Sequence, residues 1–587
     1  MRNYSHDNIS EVISENTSIF IKNYGSGGIS TISLRGTGAG YTQLAWNGVN
    51  INSPMLGQTD LTLIPAGFID DISIETGGAS LALNNGGIGG IINFETKPGW
   101  KEKINLTTDV SAGSFGRYSS LAKIKLGNSK FQSSTKILIQ SAENNFPYQN
   151  NFISSDPVVE QRKNASVMQK SLMQELYFRK EKTVISARFW YENTDRKIPV
   201  PIVTQQPENG ESQQDESFRT MIQYNTYAGK MDYNSSFSWF SERLSYQNPQ
   251  LSIDSKNLSN TLIFKSGFTT DLNRKTNFSL FVNDELSFVN SVNYEGVKSR
   301  NLASFTASVR RLIGERVCVS AILRPAVKDN NILVPDFSTG LDYSLTENKK
   351  HLIKFNFSHN SKVPTLNDLY WNPGGNKSLL NEYSYTGELG YEVTANISQA
   401  ISFNSQVSAY MISINNMIKW IPGLSGYWSP SNVSKAQSSG VEGSAGITYA
   451  SNDVKIRFFA KYAWNHAQIV KSLETGFVQG KQIVYVPENM FNTGIRAAFK
   501  NFYLSFLSCF TGKRFTNADN TAFIRGYLIN NASAGVKVGS GKSAFNFNLK
   551  IDNIFNADYQ TIAWYPMPGR SFMLSIIYQF NNNRENE

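Results

Sequence analysis

Apolar and polar side chains alternate along most of this chain, and that alternation limits its fold more than any other feature. From about Ile104 to Phe580, segments of roughly 10 to 16 residues keep the pattern, as in residues 455–464 and 543–551. A period of two places apolar side chains on one face of a β-strand and polar side chains on the other. The pattern therefore predicts strands that separate an apolar environment from an aqueous one.

The connections between these segments alternate in length. Short turns such as residues 127–129 and 451–452 are followed by long polar loops. Transmembrane barrels are connected in this way, with short turns on the periplasmic side and long loops outside. Pairing each loop with the next turn predicts about 22 antiparallel strands, an even number as single-chain bacterial barrels require. The expected strand starts include Thr183, Arg219 and Lys435.

The composition agrees with a barrel that has a wet lumen and a lipid-facing outer surface. Only 17% of the residues are charged, 12% are aromatic, and the mean hydropathy is −0.33. The chain has no run of about 18 apolar residues, so we expect no transmembrane helix. A net charge of +10 would suit a nucleic-acid partner, but the basic residues are scattered singly. We interpret them as solvated charges of turns and loops and expect no nucleic acid to bind.

The sequence contains no pattern that predicts catalysis. Cys318 and Cys509 are far apart, which gives neither a disulfide framework nor a metal spacing, and no GxSxG, P-loop or HExxH motif is present. Asp156, Asp215 and Glu216 lie in expected long loops and are candidate Ca²⁺ ligands, but they form no recognisable calcium loop. We expect a protein that is not an enzyme and has no cofactor and no resident metal.

The first part of the chain differs from the rest in its glycine content and in its pattern of apolar residues. Residues 1–98 are rich in glycine and combine short strand patterns, such as residues 69–75 and 91–96, with short helical turns. This predicts an α+β domain, followed by the barrel in residues 99–587. A barrel of about 22 strands encloses a lumen too wide to stay open, and such barrels are plugged. The N-terminal domain has a suitable size to be that plug inside the lumen.

Several motifs then resemble one known family in their order along the chain. In the plug they are residues 32–36, 46–52, 72–75 and 89–93, and in the barrel residues 363–371, 387–390, 430–433, 440–442, 552–559 and 568–570. Together they resemble the TonB-dependent outer-membrane receptors over nearly the whole chain. The plug sequence is most similar to that of receptors from Bacteroidetes, and the overall size is similar to the vitamin B12 receptor subgroup.

The resemblance implies a location, an activity and partners. It implies a protein of the cell outer membrane, surrounded by lipid, that binds a scarce large nutrient at its outer mouth. The TonB–ExbB–ExbD complex would then pull on the plug with energy from the proton-motive force. Cobalamin or a related corrinoid is the first candidate ligand, and an iron–siderophore complex or haem is the alternative. A surface lipoprotein is a further candidate partner. A passive porin or an adhesin barrel is the rival class, and porins have no plug.

The resemblance also implies an ion network between plug and barrel. Arg35 matches a plug arginine that family members pair with barrel glutamates, and Glu388 and Glu442 match those glutamates. The alternative is that Arg35 is a local turn residue and that both glutamates face lumen water. The family commonly has a second plug arginine where this chain has Thr76-Gly77-Gly78. We therefore expect a reduced network, with another partner for one glutamate.

Candidate ligand contacts lie in the outer loops of both domains. In the plug they are Met55, Leu56, Gln58, Asn84 and Asn85, and in the barrel Tyr148, Trp371, Trp420, Trp428, Trp564 and Tyr565. Aromatic rings at a wet mouth suit a large amphipathic ligand. The alternative is that each ring belongs to a membrane-interface girdle or to the core of a loop.

The N-terminus lacks two features that an exported receptor of this kind needs. No apolar stretch follows residues 1–4, so the chain shows no signal peptide. We also find no TonB box before Val12, and the plug lacks its first segment relative to the family. We expect the native gene to begin further upstream.

Overall fold

A closed barrel of 22 antiparallel strands dominates the part of the chain that the structure describes. The structure is a computed structural model, and it describes residues 6–583 apart from 83–86, 101, 151, 153–157, 205–209, 423–426, 473–477 and 540. In chain order the barrel strands are Glu102–Gly113, Arg117–Gly127, Phe131–Ala142, Val167–Lys180, Thr183–Lys197, Ser212–Ala228, Met231–Asn248, Ile253–Asn273, Thr276–Ser291, Lys298–Ile313, Val317–Arg324, Asp336–Ser344, His351–Lys362, Glu382–Asn396, Ile401–Pro422, Trp428–Ala450, Val454–Ser472, Asn489–Phe499, Phe502–Thr511, Tyr527–Val538, Ser543–Asp552 and Ser571–Asn583. The last strand pairs with the first, so the barrel has no free edge. The predicted fold class is confirmed.

The two faces of each strand meet different surroundings. In Val167–Lys180, the side chains of Ser171 and Glu175 point inward and are buried, whereas Leu176 and Phe178 are 39% and 46% exposed on the outside. Apolar side chains that are exposed on the outer face of a closed sheet are suited to lipid, where every backbone polar group must be satisfied within the barrel. The alternation in the sequence thus separates the lumen from the membrane.

The two ends of the barrel differ in their connections. Lys180 and Thr183 are joined by a short turn, as are Phe499 and Phe502, whereas residues 143–166 form a long connection at the other end. The short-turn end also carries outward aromatic rings; those with large exposed areas are Tyr227, Tyr233, Tyr449, Phe499 and Phe502. Short turns with an aromatic girdle mark the periplasmic side, so the long loops form the outer mouth.

Small elements decorate the long-loop end. They are the strand pairs Pro147–Asn150 with Val158–Gln161, Ala326–Lys328 with Asn331–Ile332, Arg514–Phe515 with Phe523–Ile524, and Gln560–Ile562 with Tyr565–Pro566, the helix Leu366–Tyr370 and the 3₁₀ turn Pro249–Leu251. The long connections at the outer mouth therefore contain ordered secondary structure.

The N-terminal plug is a small α+β unit inside the lumen. It has one helix, Ile9–Asn16, and a hairpin of Phe20–Asn23 and Ser30–Ser33. Its main sheet has the order Val49–Asn50, Thr42–Trp46, Gly90–Glu95 and Asp71–Glu75, and its 3₁₀ turns are Leu34–Gly36, Ala39–Tyr41, Leu61–Leu63, Ala66–Phe68 and Gly77–Ala82. The two central strands are parallel, and the outer two are antiparallel to their neighbours.

The apolar core of the plug continues into the barrel wall. Trp46, Phe68 and Phe94 have no solvent exposure. The ring of Trp46 meets the ring of Trp190, a barrel residue, edge to face at 5.4 Å between centroids. Burying large aromatic side chains in this way contributes on the order of 2 kcal/mol each. The plug therefore packs against one side of the lumen as a domain core would.

Among the residues that the structure describes, no helix is long and apolar enough to cross a membrane.

The expected loop positions of the calcium candidates are wrong. Asp215 and Glu216 lie within the strand Ser212–Ala228, and the Asp215 carboxylate binds Arg196 at 3.1 Å. The described residues contain no group of three or more side chains arranged to hold a metal ion. Asp156 lies outside the described residues.

Candidate functional site

Arg35 occupies a special place in the plug backbone. It lies directly after the hairpin strand Ser30–Ser33 and has a left-handed conformation, with φ of 52° and ψ of 32°. Few residues other than glycine adopt this region, and it is found where the surrounding structure holds the chain in place. The turn directs the Arg35 side chain toward the barrel wall, where the residue is only 4% exposed.

The guanidinium of Arg35 lies between the two predicted glutamates. Its Nη1 and Nη2 donate to the Glu388 carboxylate at 3.0 and 2.8 Å, and its Nε and Nη2 donate to Oε2 of Glu442 at 3.1 and 3.0 Å. All three nitrogens therefore have acceptors, with a bidentate pair to Glu388. Two carboxylates share one cation at the plug–barrel boundary.

A tyrosine that no sequence pattern indicates completes this site. The ring of Tyr410 lies under the guanidinium, 4.3 Å from its centre, on the strand between those of Glu388 and Glu442. Gly440 makes room for the ring, because a Cβ there would come within 2.4 Å of the Tyr410 hydroxyl. Burial lowers the pKa of Arg35, but Glu442 and Glu388 outweigh burial and raise that pKa above its ordinary value. The arginine stays charged.

The segment that stands in place of the second plug arginine contacts the barrel through its backbone, and the expected additional partner for one glutamate is not needed. The 3₁₀ turn Gly77–Ala82 packs against the barrel, and the Gly78 N–H donates to Asn356 Oδ1 at 3.0 Å. A Cβ on Gly78 would lie 1.9 Å from Ser338 Oγ, so only glycine fits. No second cation is needed at the glutamates, because Arg35 pairs with both of them. The network thus has one arginine where the family commonly has two, and both glutamates still bind a cation.

A second charged cluster joins the plug helix to the barrel. Lys550 of the barrel lies 3.3 Å from the Asp7 carboxylate and 3.1 Å from that of Glu15. Arg117, near the outer end of its strand, binds Glu11 at 3.2 Å. These ion pairs line a cavity of about 330 Å³ between the plug helix and the barrel wall, with both polar and apolar side chains around it. A cavity of this size with charged groups in its wall has room for several waters.

The plug loop that was expected to face the ligand is partly buried. Met55 is 5% exposed and packs against Val289, Tyr294 and Leu366 of the barrel, so it differs from the expectation of a ligand contact. The loop is held because the backbone N–H groups of Leu366 and Asn367 donate to plug carbonyls.

Only the neighbours of Met55 remain accessible in that loop. Leu56 is 40% exposed and Gln58 is half-buried. Asn84 and Asn85 lie outside the described residues.

Three of the predicted tryptophans gather around the short helix Leu366–Tyr370. Trp371 follows this helix and is half-buried against the cluster that holds Met55. The indole N–H of Trp420 donates to Asp368 at 2.9 Å, which ties it to the loop core. Trp428 is 59% exposed at the start of its strand.

The other three predicted contacts form a separate group. Tyr148 is buried, and its hydroxyl donates to Glu160 at 2.8 Å. Trp564 is 38% exposed and stacks edge to face on Phe152 at 4.1 Å, while the ring of Tyr565 meets that of Tyr24 in the plug at 5.8 Å. The predicted aromatic residues therefore line the outer mouth in two groups and not as one ring.

A closed transmembrane barrel with a domain inside its lumen defines a class of plugged outer-membrane proteins. The model of the TonB-dependent receptor-like β-barrel matches residues 100–554, and that of the TonB-dependent receptor plug domain matches residues 1–91. The chain belongs to the TonB-dependent receptor family.

The curated relatives that match this chain in sequence are vitamin B12 transporters. The chain is 25% identical over 247 residues to the vitamin B12 transporter BtuB of Vibrio vulnificus, which is 42% of this chain and 36% of that one. It is 25% identical over 242 residues to BtuB of Photobacterium profundum, covering 40% of this chain and 36% of that one. The chain thus spans about a third of the length of the curated relatives it matches.

Solved structures share the fold over nearly their whole length. The FrpB iron transporter of Neisseria meningitidis has a TM-score of 0.81 at 13% identity, covering 99% of this chain and 97% of that one. The siderophore receptor PirA of Acinetobacter baumannii has a TM-score of 0.78 at 14% identity, covering 98% and 96%.

Proposed function

We propose that this protein is an active importer that takes a scarce, large nutrient through the outer membrane. The observation that carries the proposal is the plug, which lies in the closed lumen and is tied to its wall by Arg35, Glu388 and Glu442. A lumen filled in this way needs work to open it. The TonB–ExbB–ExbD complex, driven by the proton-motive force, is the partner that the family membership suggests. No catalytic step is part of the proposal.

Cobalamin or a related corrinoid is the substrate that we propose first. Support comes from the BtuB relatives, which are named for vitamin B12, and from the two aromatic groups at the mouth, which suit a large amphipathic ligand. An iron–siderophore complex or haem is the second candidate. It is supported by neighbours of the same fold that are named for iron and siderophores.

Uptake into cells tests both proposals. The receptor is expressed in a host that lacks its own B12 receptor, and uptake of labelled cyanocobalamin is measured with TonB, without TonB, and with a protonophore. We expect uptake only in energised cells that have TonB. Uptake that persists without TonB would contradict active import and would favour a passive pore. TonB-dependent uptake of a ferric siderophore, but not of cyanocobalamin, would select the second substrate class.

A further inference from the structure

One buried arginine at the outer mouth has an unused donor edge. Arg162, beside the hairpin Pro147–Asn150 and Val158–Gln161, is 5% exposed. Its Nη1 donates to the carbonyl of Val200 at 2.8 Å, and its guanidinium lies beside the Tyr148 hydroxyl, but its buried Nε and Nη2 have no acceptor with hydrogen-bond geometry. These two nitrogens form one side of the guanidinium, the side that makes two parallel hydrogen bonds with a carboxylate or phosphate.

Four other buried arginines differ from Arg162, whereas Arg514, like Arg162, has carbonyl acceptors but no carboxylate partner among the described residues. Within the described residues, no carboxylate oxygen lies within 4.0 Å of the Arg162 nitrogens, whereas Arg188, Arg196, Arg219 and Arg324 each have one. Burial lowers the pKa of Arg162, while the pKa of Arg35 beside its two glutamates is raised. An unpaired buried cation is costly, so it is retained only where something else compensates the charge.

The surroundings of Arg162 are positively charged and rich in tyrosine. Its guanidinium lies 5.9 Å from the ring of Tyr565, which contacts Tyr24 at the tip of the plug hairpin. Lys22 lies over the rings of Tyr24 and Tyr485 at 5.3 and 5.0 Å. The nearest acid along the chain, Glu160, already accepts hydrogen bonds from Tyr148 and Asn150. Glu211, the other acid that acts on Tyr565, accepts a hydrogen bond from the Tyr246 hydroxyl at 2.7 Å. Both acids therefore have other side chains as partners, and Arg162 is left without a carboxylate.

Arg514 adds a second buried guanidinium to this region. It donates to the carbonyls of Gly512, Arg525 and Gln560, and it has no exposure. It fixes the last outer loops, and it adds positive charge that carbonyls alone do not neutralise.

Exposed apolar side chains belong to the same group of outer loops as Arg162. Phe152 and Trp564, in edge-to-face contact, are 53% and 38% exposed, and Val203 is 43% exposed. They belong to the same assembly as Arg162, because the Ile202 N–H donates to the Trp564 carbonyl at 3.0 Å. An apolar platform beside an anion-binding edge fits a large ligand that carries a small number of negative oxygens.

We propose that Arg162 binds an oxyanion group, a phosphate or a carboxylate, of the transported ligand at the outer mouth. The inference rests on the proposed import function and adds a specificity residue to it. The Nε and Nη2 donors would grip two oxygens of the group, and Phe152 and Trp564 would pack against the rest of the ligand.

Inorganic phosphate tests the anion site without reference to transport. The purified full chain in detergent is titrated with phosphate against chloride at constant ionic strength, and its tryptophan fluorescence and thermal unfolding are followed. We expect a saturable response in the wild type, a response weakened about tenfold or more in Arg162→Gln, and a partial response in Arg162→Lys. Arg243→Gln, which alters an arginine that is 60% exposed, is the matched control and should respond like the wild type. No saturable response in the wild type, or equal responses in Arg162→Gln and the wild type, would overturn the inference.

Ligand binding then separates this inference from the proposed function. Cyanocobalamin carries a phosphodiester, dicyanocobinamide lacks it, and ferric citrate offers carboxylates. We expect Arg162→Gln to weaken whichever anionic ligand the wild type binds by about tenfold or more, and to leave any binding of dicyanocobinamide unchanged. If an imported ligand binds the wild type and Arg162→Gln equally, Arg162 has no role in binding it, and the proposed import function still stands. A phosphate response without binding of either anionic ligand would instead reject the proposed substrates and retain the site.

Discussion

Arg35 shows how a single residue can hold two domains together. Its side-chain exposure is 2%, while the side chains of Glu388 and Glu442 retain 17% and 30%. The cation is therefore almost fully removed from water, and the carboxylates are only partly removed. A pair of this kind adds little net stability over an apolar contact, but removing one partner leaves an uncompensated charge.

Replacing Arg35 should loosen the plug. In Arg35→Gln, Glu388 and Glu442 would face each other without a cation, and we expect the free energy of plug unfolding to fall by about 3–5 kcal/mol. Urea unfolding of the plug, followed by hydrogen exchange of the strand Ser30–Ser33, measures the change. Lys275→Gln removes an exposed ion pair with Glu315 at a short turn and should change the result by less than about 1 kcal/mol.

Removing all three charges together distinguishes the effect of an unpaired charge from the effect of changed packing. In Arg35→Gln combined with Glu388→Gln and Glu442→Gln, no unpaired charge remains, so we expect most of the lost plug stability to return. If the triple variant were as unstable as the single one, the loss would come from packing and not from charge.

Some of the residues of these sites could be predicted from the sequence and others could not. Arg35 and its glutamates were predicted because they match family motifs. Tyr410 and Arg162 were not, because alternation tells which face a barrel residue lies on but not which plug or loop residue lies opposite. Met55 was expected to be accessible, yet contacts from the distant loop around Leu366 bury it.

Among the elements, the plug helix Ile9–Asn16 is held by charge as well as by packing. Asn8 and Glu11 form a capping box at its N-terminus. Glu15 accepts a hydrogen bond from Asn531 at 3.0 Å and lies beside Lys550, Asp552 and Asp7. Burial raises the pKa of Glu15 from 4.5 to about 7. The docked helix therefore retains a proton that an undocked helix would release.

This proton predicts the pH dependence of helix docking. Between about pH 4.5 and pH 7 the docked state binds more protons than the undocked one, so docking weakens as the pH rises and is then constant. The full effect is up to about 3 kcal/mol. Hydrogen exchange of residues 9–16, corrected for the intrinsic rate, should show greater protection at the lower pH. Burial also raises the pKa of Glu11 on the same helix, so Glu15→Gln should reduce the dependence without abolishing it. Protection that increases with pH would contradict the prediction.

The 3₁₀ turn Gly77–Ala82 is a second element on which the closed state depends. We expect Gly78→Ala to destabilise the plug by about 1–3 kcal/mol, because its methyl group would overlap Ser338. Limited proteolysis and urea unfolding measure the effect. Gly387→Ala is the control, since nothing lies within 4 Å of a Cβ there. Ser338→Gly in the same chain should restore part of the stability, because a Cβ at residue 78 would still lie 2.9 Å from Asn356 Oδ1, and the idea fails if nothing is restored.

Strand boundaries were predictable at the membrane but not beyond it. The predicted start at Thr183 is correct, whereas the strands expected near Arg219 and Lys435 begin at Ser212 and Trp428. These extra residues lie at the long-loop end, where both faces of a strand meet water or other loops. Alternation of apolar and polar side chains is lost there although hydrogen bonding continues.

The whole molecule combines a closed wall with a lumen that is filled. Barrel closure leaves no free strand edge in the barrel, and the composition agrees with a wet interior and a lipid-facing surface. The plug packs its aromatic core on one side, at Trp46 and Trp190, and its charges on another, at Arg35. We infer that passage through such a molecule is gated, because the plug lies in the lumen and contacts its wall on both sides.

Ion conductance across a planar bilayer tests this gating most directly. The purified full chain is inserted, and the current is recorded before, during and after addition of urea at a concentration that unfolds the plug but not the barrel. We expect no steady conductance at first, a large conductance in urea, and closure when the urea is washed out. A steady ohmic conductance in the wild type without urea would show an open pore and would contradict the plugged, gated importer described above.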